Sequence, residues 1–256
     1  MKSIAIIPAR MNSSRFPGKP MAKIHGMPMI GHCYHRTNMC SELIDTYVAT
    51  CDKEIYEYIE SIGGKPIMTS SHHDRASDRT AEAMVKIEAI IKQKVDVIVM
   101  VQGDEPMVTP SMITESLAPF KVDQNVNVVN LMSKIGSLAE FDDPNEVKVV
   151  IDKNSDAIYF SREPIPSRQK GSLKVSMFKQ VCIIPFKRDY LIKFNNTSET
   201  DLEIIESVDM LRIIENGEKV RMVMINENSY SVDTADDLIN VEKYMKNDKL
   251  MDFYNL

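Results

Sequence analysis

The sequence predicts an α/β fold, with a mostly parallel sheet flanked by helices, and three observations point there. Ile4-Ala5-Ile6-Ile7 is a short, continuously apolar run ending at Pro8, as a strand buried on both faces requires. Val95 to Val101 is the most strand-like segment of the chain. Between the two, helical and extended patterns alternate at the spacing of βαβ units.

Taken in order, a helical pattern over about Met29–Cys40 follows the first strand, then a strand at Thr46–Thr50. The next helix is expected over Asp52–Ile62, where Ile55, Tyr58, Ile59 and Ile62 mark one face. Asp52 reads as its N-cap and Gly63-Gly64 as its stop. Ile67-Met68 gives a short strand, and Thr80–Lys92, rich in Ala, Glu and Ile, gives a helix leading to Val95–Val101. After about Lys134 the rhythm changes. Val147–Ile151 and Ala157–Phe160 read as consecutive strands around the turn Asp152–Asp156. This marks a β-rich excursion over about 134–186. Helices over Asp201–Glu215 and Thr234–Lys246 then enclose the strand Val220–Ile225. With no internal repeat and no Gly/Ser linker, residues 1–256 read as a single domain carrying that excursion.

Composition excludes several classes. A chain that is 43% hydrophobic and 27% charged has the balance of a folded globular protein. No run of about 18 apolar residues suits a membrane span. The segment Met1–Pro8 enters a strand directly, without the apolar core and cleavage site of a signal peptide, so a cytoplasmic location is expected. The net charge of −6, with no gathered basic run, argues against a nucleic-acid partner. Cys33, Cys40, Cys51 and Cys182 form no CxxC pair and read as small buried hydrophobes rather than zinc ligands. His72-His73-Asp74 has the composition of a metal cluster, but adjacent loop side chains seldom converge on one ion, so a plain loop is expected. The 18 scattered methionines read as core filling. The first strand is not followed by GxGxxG, which removes the dinucleotide-dependent oxidoreductases.

Three segments carry chemistry. Pro8–Pro20 (PARMNSSRFPGKP) places three cations, two Ser, an Asn and a Gly after the first strand, at the edge where open α/β sheets bind ligands. Backbone N–H groups of such a loop face phosphate oxygens while Arg and Lys neutralise charge; a solvated basic loop has the same composition. It is not a Walker A loop. Gln102-Gly103-Asp104-Glu105-Pro106 ends the second apolar strand with two carboxylates, which suit Mg²⁺ beside a triphosphate or make an ordinary turn. Asp233, in Ser231–Asp237, would complete a metal site with Asp104 or serve, with Thr234, as a helix cap; Asp236 and Asp237 read as capping acids.

Together these segments resemble the 3-deoxy-manno-octulosonate cytidylyltransferases. IPARMNSSRFPGKP is similar to that family's IPARxxSxRxPGKP, VQGDEP to its strand-end motif, and SVDTADDL to its closing GVDTxEDL, collinear from Ile4 to about Val241. Met27–Ile30, Val48–Thr50, and Tyr159–Arg162 followed by Ile165-Pro166 extend the likeness. The resemblance implies a Rossmann-like nucleotidyltransferase fold with a β-rich dimerisation excursion, a homodimer, CTP as donor, Mg²⁺ as cofactor and a sugar acid as acceptor. It also implies a place in bacterial surface polysaccharide synthesis, lipopolysaccharide or capsule. Lys19, Arg10 and Asp104 would be catalytic. Pro8, Ala9, Arg10, Ser14, Arg15, Lys19, Arg79, Gln102 and Gly103 would bind the nucleotide. Gln102, Arg162, Gln180, Glu203 and Glu206 would face the acceptor, and Asp104 and Asp233 would hold the metal.

Departures from the family pattern cluster on the acceptor side. Arg75-Ala76-Ser77-Asp78-Arg79 stands where SGTDR or SGTER is usual, and Gln180-Val181-Cys182-Ile183-Ile184 stands for HxGxY. Leu202–Arg212 keeps Glu203, Glu206 and Arg212 of LExxExLEQLR. A pocket that hydrogen-bonds particular hydroxyls discriminates strongly, so altered polar groups imply an altered acceptor. The expectation is therefore CMP transfer to 3-deoxy-manno-octulosonate by default. An amino-ulosonate, a nonulosonate, or a phosphorylated or phosphonate small molecule is the alternative. A catalytically dead nucleotide-binding protein is the reading from another class, and the retained Lys19, Asp104 and Asp233 speak against it.

Overall fold

The structure is a computed structural model that describes residues 1–13, 15–168, 170, 176–227 and 229–254. Its elements begin with β1 (Ser3–Ala9), the short β2 (Lys23–Ile24) and β3 (Met27–Pro28), α1 (Met29–Asn38), β4 (Leu43–Thr50) and α2 (Lys53–Ser61). They continue with β5 (Pro66–Met68), α3 (Ala76–Ile91), β6 (Val97–Val101) and α4 (Pro110–Val122). Next come β7 (Val129–Lys134), α5 (Leu138–Asp142), β8 (Lys148–Ile151), β9 (Ala157–Ser161), β10 (Phe178–Val181) and β11 (Ile183–Lys187). The chain closes with α6 (Arg188–Asn195), α7 (Asp201–Glu206), α8 (Met210–Glu215), β12 (Arg221–Met224) and α9 (Ala235–Met245).

These elements gather into two compact units, one of residues 1–114 with 229–256, the other of residues 115–228. In the first, β6, β1, β4 and β5 lie side by side in that order and run parallel, Ile4 pairing with Ile98 on one side and Asp45 on the other. All seven residues of β1 and all five of β6 are buried, which is why both read as unbroken apolar runs instead of alternating ones. The helix α2 shows the expected face, with Ile55 and Ile59 buried, and stops at Gly63, whose φ of 74° is left-handed. Asp52 occupies the N-cap position, but its side chain makes no cap. Its Oδ2 instead accepts from the backbone N–H of Met11 at 2.8 Å.

In the second unit, β12, β7, β10, β8 and β9 form a sheet in that order, antiparallel except for the β12–β7 pair. The helix expected over Asp201–Glu215 is two helices. Ser207, at φ 53°, ends α7, at whose start the Glu203 carboxylate accepts from the Thr200 N–H at 3.3 Å. Several element bounds shift against their sequence patterns: α3 begins at Ala76, before the Ala/Glu/Ile-rich stretch, β4 begins at Leu43, β6 begins two residues late at Val97, and β12 is one residue shorter at each end.

Candidate active site

All of the described nucleotide-side and metal candidates lie in the first unit, at the carboxyl ends of its parallel strands. Pro8 and Ala9 are the last residues of β1, and the chain then leaves the sheet as a loop tied to itself and to its neighbours. Gly18 donates its N–H to the Met11 carbonyl at 3.0 Å, Phe16 to the Ser13 hydroxyl at 3.4 Å, and Met11 to Asp52. Gly18 has φ 74°, a left-handed value that a side chain would strain, and it delivers Lys19 into the single turn Lys19–Met21. The expected nucleotide residue Ser14 lies outside the described residues.

Lys19 is at the centre of the arrangement. Its ammonium donates to Asp104 Oδ2 at 2.7 Å, to the Val232 carbonyl at 2.8 Å and to Asp233 Oδ1 at 3.4 Å. The residue is only 9% exposed. Burial acts against its charge, but the Asp104 carboxylate, and after it Asp233, outweigh that and raise the Lys19 pKa above its ordinary value. Arg15 donates to the same Asp233 oxygen at 2.8 Å. Two cations and two carboxylates therefore meet across three segments that are far apart in sequence.

The segments are also joined through their backbones. Asp104 accepts from the Val232 N–H through its main-chain carbonyl at 3.0 Å, and Glu105, buried, accepts from the Ser229 hydroxyl at 3.0 Å. Gly103 brings the β6 end against β1: a Cβ there would sit 2.9 Å from the Pro8 carbonyl and 3.3 Å from the Ala9 Cβ. Only glycine permits that approach. Thr234 caps α9 in a reciprocal box with Asp237, whose carboxylate also accepts from the Asp233 N–H at 3.1 Å. Asp233 thus keeps its own side chain for Lys19 and Arg15, and capping falls to its neighbours.

Arg10 and Arg79 form a second group. Both guanidinium groups donate to the His73 carbonyl, at 3.3 and 3.4 Å, and Arg10 lies 3.7 Å from Asp74. Arg79 is buried and also donates to the Thr69 hydroxyl at 2.6 Å, whereas Arg10 is 40% exposed and presents its charge to solvent. Gln102 is half-buried, its carbonyl accepting from the Glu105 N–H at 3.1 Å. In the His72-His73-Asp74 stretch, His73 Nε2 contacts Glu82, and burial is outweighed by Lys86, Ser70 and His73, which bring the Glu82 carboxyl down to about 2. Among the described residues, no group of three or more His, Cys, Asp or Glu could hold a metal ion.

Sequence reasoning named Asp52 only as a cap, offered Glu105 as one of two carboxylates suited to a metal or a turn, and gave Ser229 and the Val232 carbonyl no role. Asp52 carried one usable signal: a carboxylate directly after a strand, at the edge where the loops meet. The other three make contacts between distant segments, and nothing in local pattern announces those.

In the second unit the acceptor-side candidates fall into three hydrogen-bonded groups. Arg162 donates from Nε to the Glu206 carbonyl at 2.6 Å and from Nη1 to the Pro144 carbonyl at 2.9 Å. The Glu206 carboxylate accepts from the Arg162 N–H, the Ser161 hydroxyl and the Tyr159 hydroxyl, at 2.8, 2.9 and 3.2 Å. Beneath them the fully buried Lys148 donates to the carbonyls of Asp143, Glu146 and Arg162. Gln180 donates to the buried Asn130 Oδ1 at 2.6 Å. Glu203, expected at the acceptor, is instead 0% exposed: its two oxygens accept from Arg212 Nη2 and Nε at 2.6 and 2.7 Å, and the Arg212 guanidinium lies 4.3 Å from the Phe194 ring centre.

Comparison with known proteins gives the family and the fold. A cytidylyltransferase family model matches residues 4–220. The chain is 42% identical over 248 residues to the 3-deoxy-manno-octulosonate cytidylyltransferase of Geobacter metallireducens, covering 93% of this chain and 95% of that one. It is 38% identical over 250 residues to the enzyme of the same name from Fusobacterium nucleatum, covering 98% and 99%. Among solved structures, CMP:2-keto-3-deoxy-manno-octonic acid synthetase complexed with CTP superposes with a TM-score of 0.87 at 36% identity, over 96% of this chain and 99% of that one. A cytidylyltransferase from Leptospira borgpetersenii, at 15% identity and a TM-score of 0.62 over 96% of this chain and 87% of that one, shares the fold. With a nucleotidyltransferase fold and a matching family model over most of its length, this chain belongs to the 3-deoxy-manno-octulosonate cytidylyltransferase family.

Proposed function

We propose that the chain transfers CMP from CTP to the anomeric hydroxyl of 3-deoxy-manno-octulosonate. The hydroxyl oxygen bonds to the α-phosphorus, the bond from that phosphorus to the α–β bridging oxygen breaks, and pyrophosphate and the hydroxyl proton leave. Arg10, Arg15 and Lys19 face the triphosphate, with Pro8, Ala9, Gly103 and Arg79 shaping its loop and Gln102 at the meeting of nucleotide and acceptor. Gln102, Arg162, Gln180 and Glu206 are assigned to the acceptor, whereas Glu203 pairs with Arg212 between α7 and α8. No protein nucleophile is needed, because such displacements are accelerated mainly by positioning and charge neutralisation.

Asp104 and Asp233 fit a divalent ion. Their carboxylates already converge on one cation, the Lys19 ammonium, and two carboxylates completed by phosphate oxygens and water are the hard-oxygen set that Mg²⁺ takes. When bound, Mg²⁺ would supply charge neutralisation to the phosphates. We assign the protein to the cytoplasm as a homodimer, in bacterial surface polysaccharide synthesis. Among the described residues no helix is long and apolar enough to cross a membrane.

The observation that carries this reading is the meeting of Lys19 and Arg15 with Asp104 and Asp233 in a chain of this family. Its test is pyrophosphate release from CTP and Mg²⁺ across a panel of sugar acids. The expected result is release with 3-deoxy-manno-octulosonate, lowered by about 10²–10³ or more in Asp104→Ala, as for loss of a preorganised electrostatic group. Release only with another acid or a phosphorylated compound would transfer the assignment to that acceptor. Gln180 favours this second reading, because it stands where the family's HxGxY has His and its amide is engaged by Asn130.

A further inference from the structure

We propose that Lys19 is an internal counter-cation of the metal site: it holds Asp104 and Asp233 together before substrate arrives and competes with the divalent ion for them. The inference rests on the assignment of those two aspartates to the metal. An ammonium has three protons, and the three acceptors around Lys19 (Asp104 Oδ2, the Val232 carbonyl and Asp233 Oδ1) match them in number. The longest of these contacts, 3.4 Å, is to the oxygen that Arg15 approaches more closely, at 2.8 Å. Asp233 is therefore shared between two cations, and Lys19 is fixed chiefly by Asp104 and the carbonyl.

A divalent ion that bound both carboxylates with Lys19 in place would lie within a few ångströms of a buried ammonium, where repulsion is little screened. Lys19 must give up at least one carboxylate as the ion enters. Its chain is anchored by the Lys19–Met21 turn, so the ammonium needs another anion within reach, and triphosphate oxygens are that anion. Metal and nucleotide then favour each other's binding, each by the same factor. Free metal alone is held weakly, and the two carboxylates are kept from repelling one another while the site waits.

The experiment measures Mn²⁺ binding without nucleotide, by the loss of the free-ion paramagnetic signal, for the full chain, Lys19→Met, and Lys19→Met combined with Asp104→Asn. Lys19→Met is expected to bind Mn²⁺ about tenfold more tightly than the unaltered chain, within the usual range of coupling between sites. Its melting temperature should also rise more on adding Mg²⁺ than that of the unaltered chain. If Lys19→Met does not fold with Asp104 deprived of its ammonium, Lys19→Gln, which keeps a donor for the Val232 carbonyl, takes its place. Equal or weaker Mn²⁺ binding in the Lys19 variant, but abolished by Asp104→Asn, overturns the competition and leaves the metal assignment standing. Tight binding that survives Asp104→Asn overturns both.

Discussion

Gly103 shows at the level of one residue how the site is assembled. Its missing side chain lets the end of β6 close on the Pro8 carbonyl, and Asp104, the next residue, is aimed by that closure. A Cβ 2.9 Å from a backbone oxygen has no flexible neighbour to push aside. Gly103→Ala is therefore expected to cost about 1–3 kcal/mol of stability, the range of overpacked interiors. It should also lower kcat, because the displaced strand end carries Asp104. Denaturant unfolding and pyrophosphate release would measure the two effects, and an unchanged kcat would show that Asp104 is aimed by other contacts. This residue was legible as part of a turn signal, QGDEP, but the reason for a glycine was not. That reason is a carbonyl 95 positions earlier in the chain, brought close by the pairing of β1 with β6.

Among the elements, α7 and α8 carry the clearest difference between pattern and structure. Their sequence runs as one helix from Asp201 to Glu215, yet the chain turns at Ser207 and the two short helices are locked by Glu203 and Arg212. Short helices gain little from propensity, so such a pair depends on tertiary contacts. Glu203→Gln would set an amide N–H₂ against a guanidinium and leave the buried Arg212 charge without its carboxylate. The expected loss is about 3–5 kcal/mol, as for a broken buried ion pair. At temperatures where the variant is folded, its KM for the sugar acid should stay that of the unaltered chain. A raised KM with unchanged stability would return Glu203 to the acceptor. Strands β7, β10 and β11 were harder to read than β1 and β6. The buried and half-buried residues of β10 alternate over only four positions, Phe178 to Val181, too few to separate a period of two from chance. The parallel strands were legible because burial on both faces writes itself into composition.

At the scale of the whole chain, the loops at the strand ends were legible as a set, because cations and carboxylates gathered after apolar strands have one common explanation. Their mutual contacts were not, since Lys19 and Asp233 are brought together by the return of the chain from residue 229 onward. The same return seats the C-terminal segment on α1. Arg36 pairs with Asp248 at 2.7 Å, Tyr254 stacks on His35, and His32, 0% exposed, lies between the Ile24 carbonyl at 2.8 Å and the Tyr254 hydroxyl at 2.9 Å. The carbonyl requires the proton on Nε2, so in the neutral ring Nδ1 accepts from the Tyr254 hydroxyl. Burial, against a weaker opposing effect of the Ile24 carbonyl and with help from Arg36, His25 and His35, lowers the His32 pKa from 6.5 to about 4. The sign of the linkage follows. Above pH 6.5 the ring is neutral folded or unfolded and costs nothing. As pH falls from 6.5 towards 4 the unfolded chain takes up a proton that the folded chain refuses, so stability declines across that window, by about 3 kcal/mol for this group. His32→Gln keeps a donor and an acceptor without the titration. Its stability, measured by denaturant unfolding from pH 7 to pH 4, should lose that much less than the unaltered chain's. His35, lowered by burial as well, leaves a residual slope of the same sign in both proteins. Parallel curves for the two would mean that His32 takes up its proton in the folded state as readily as in the unfolded one.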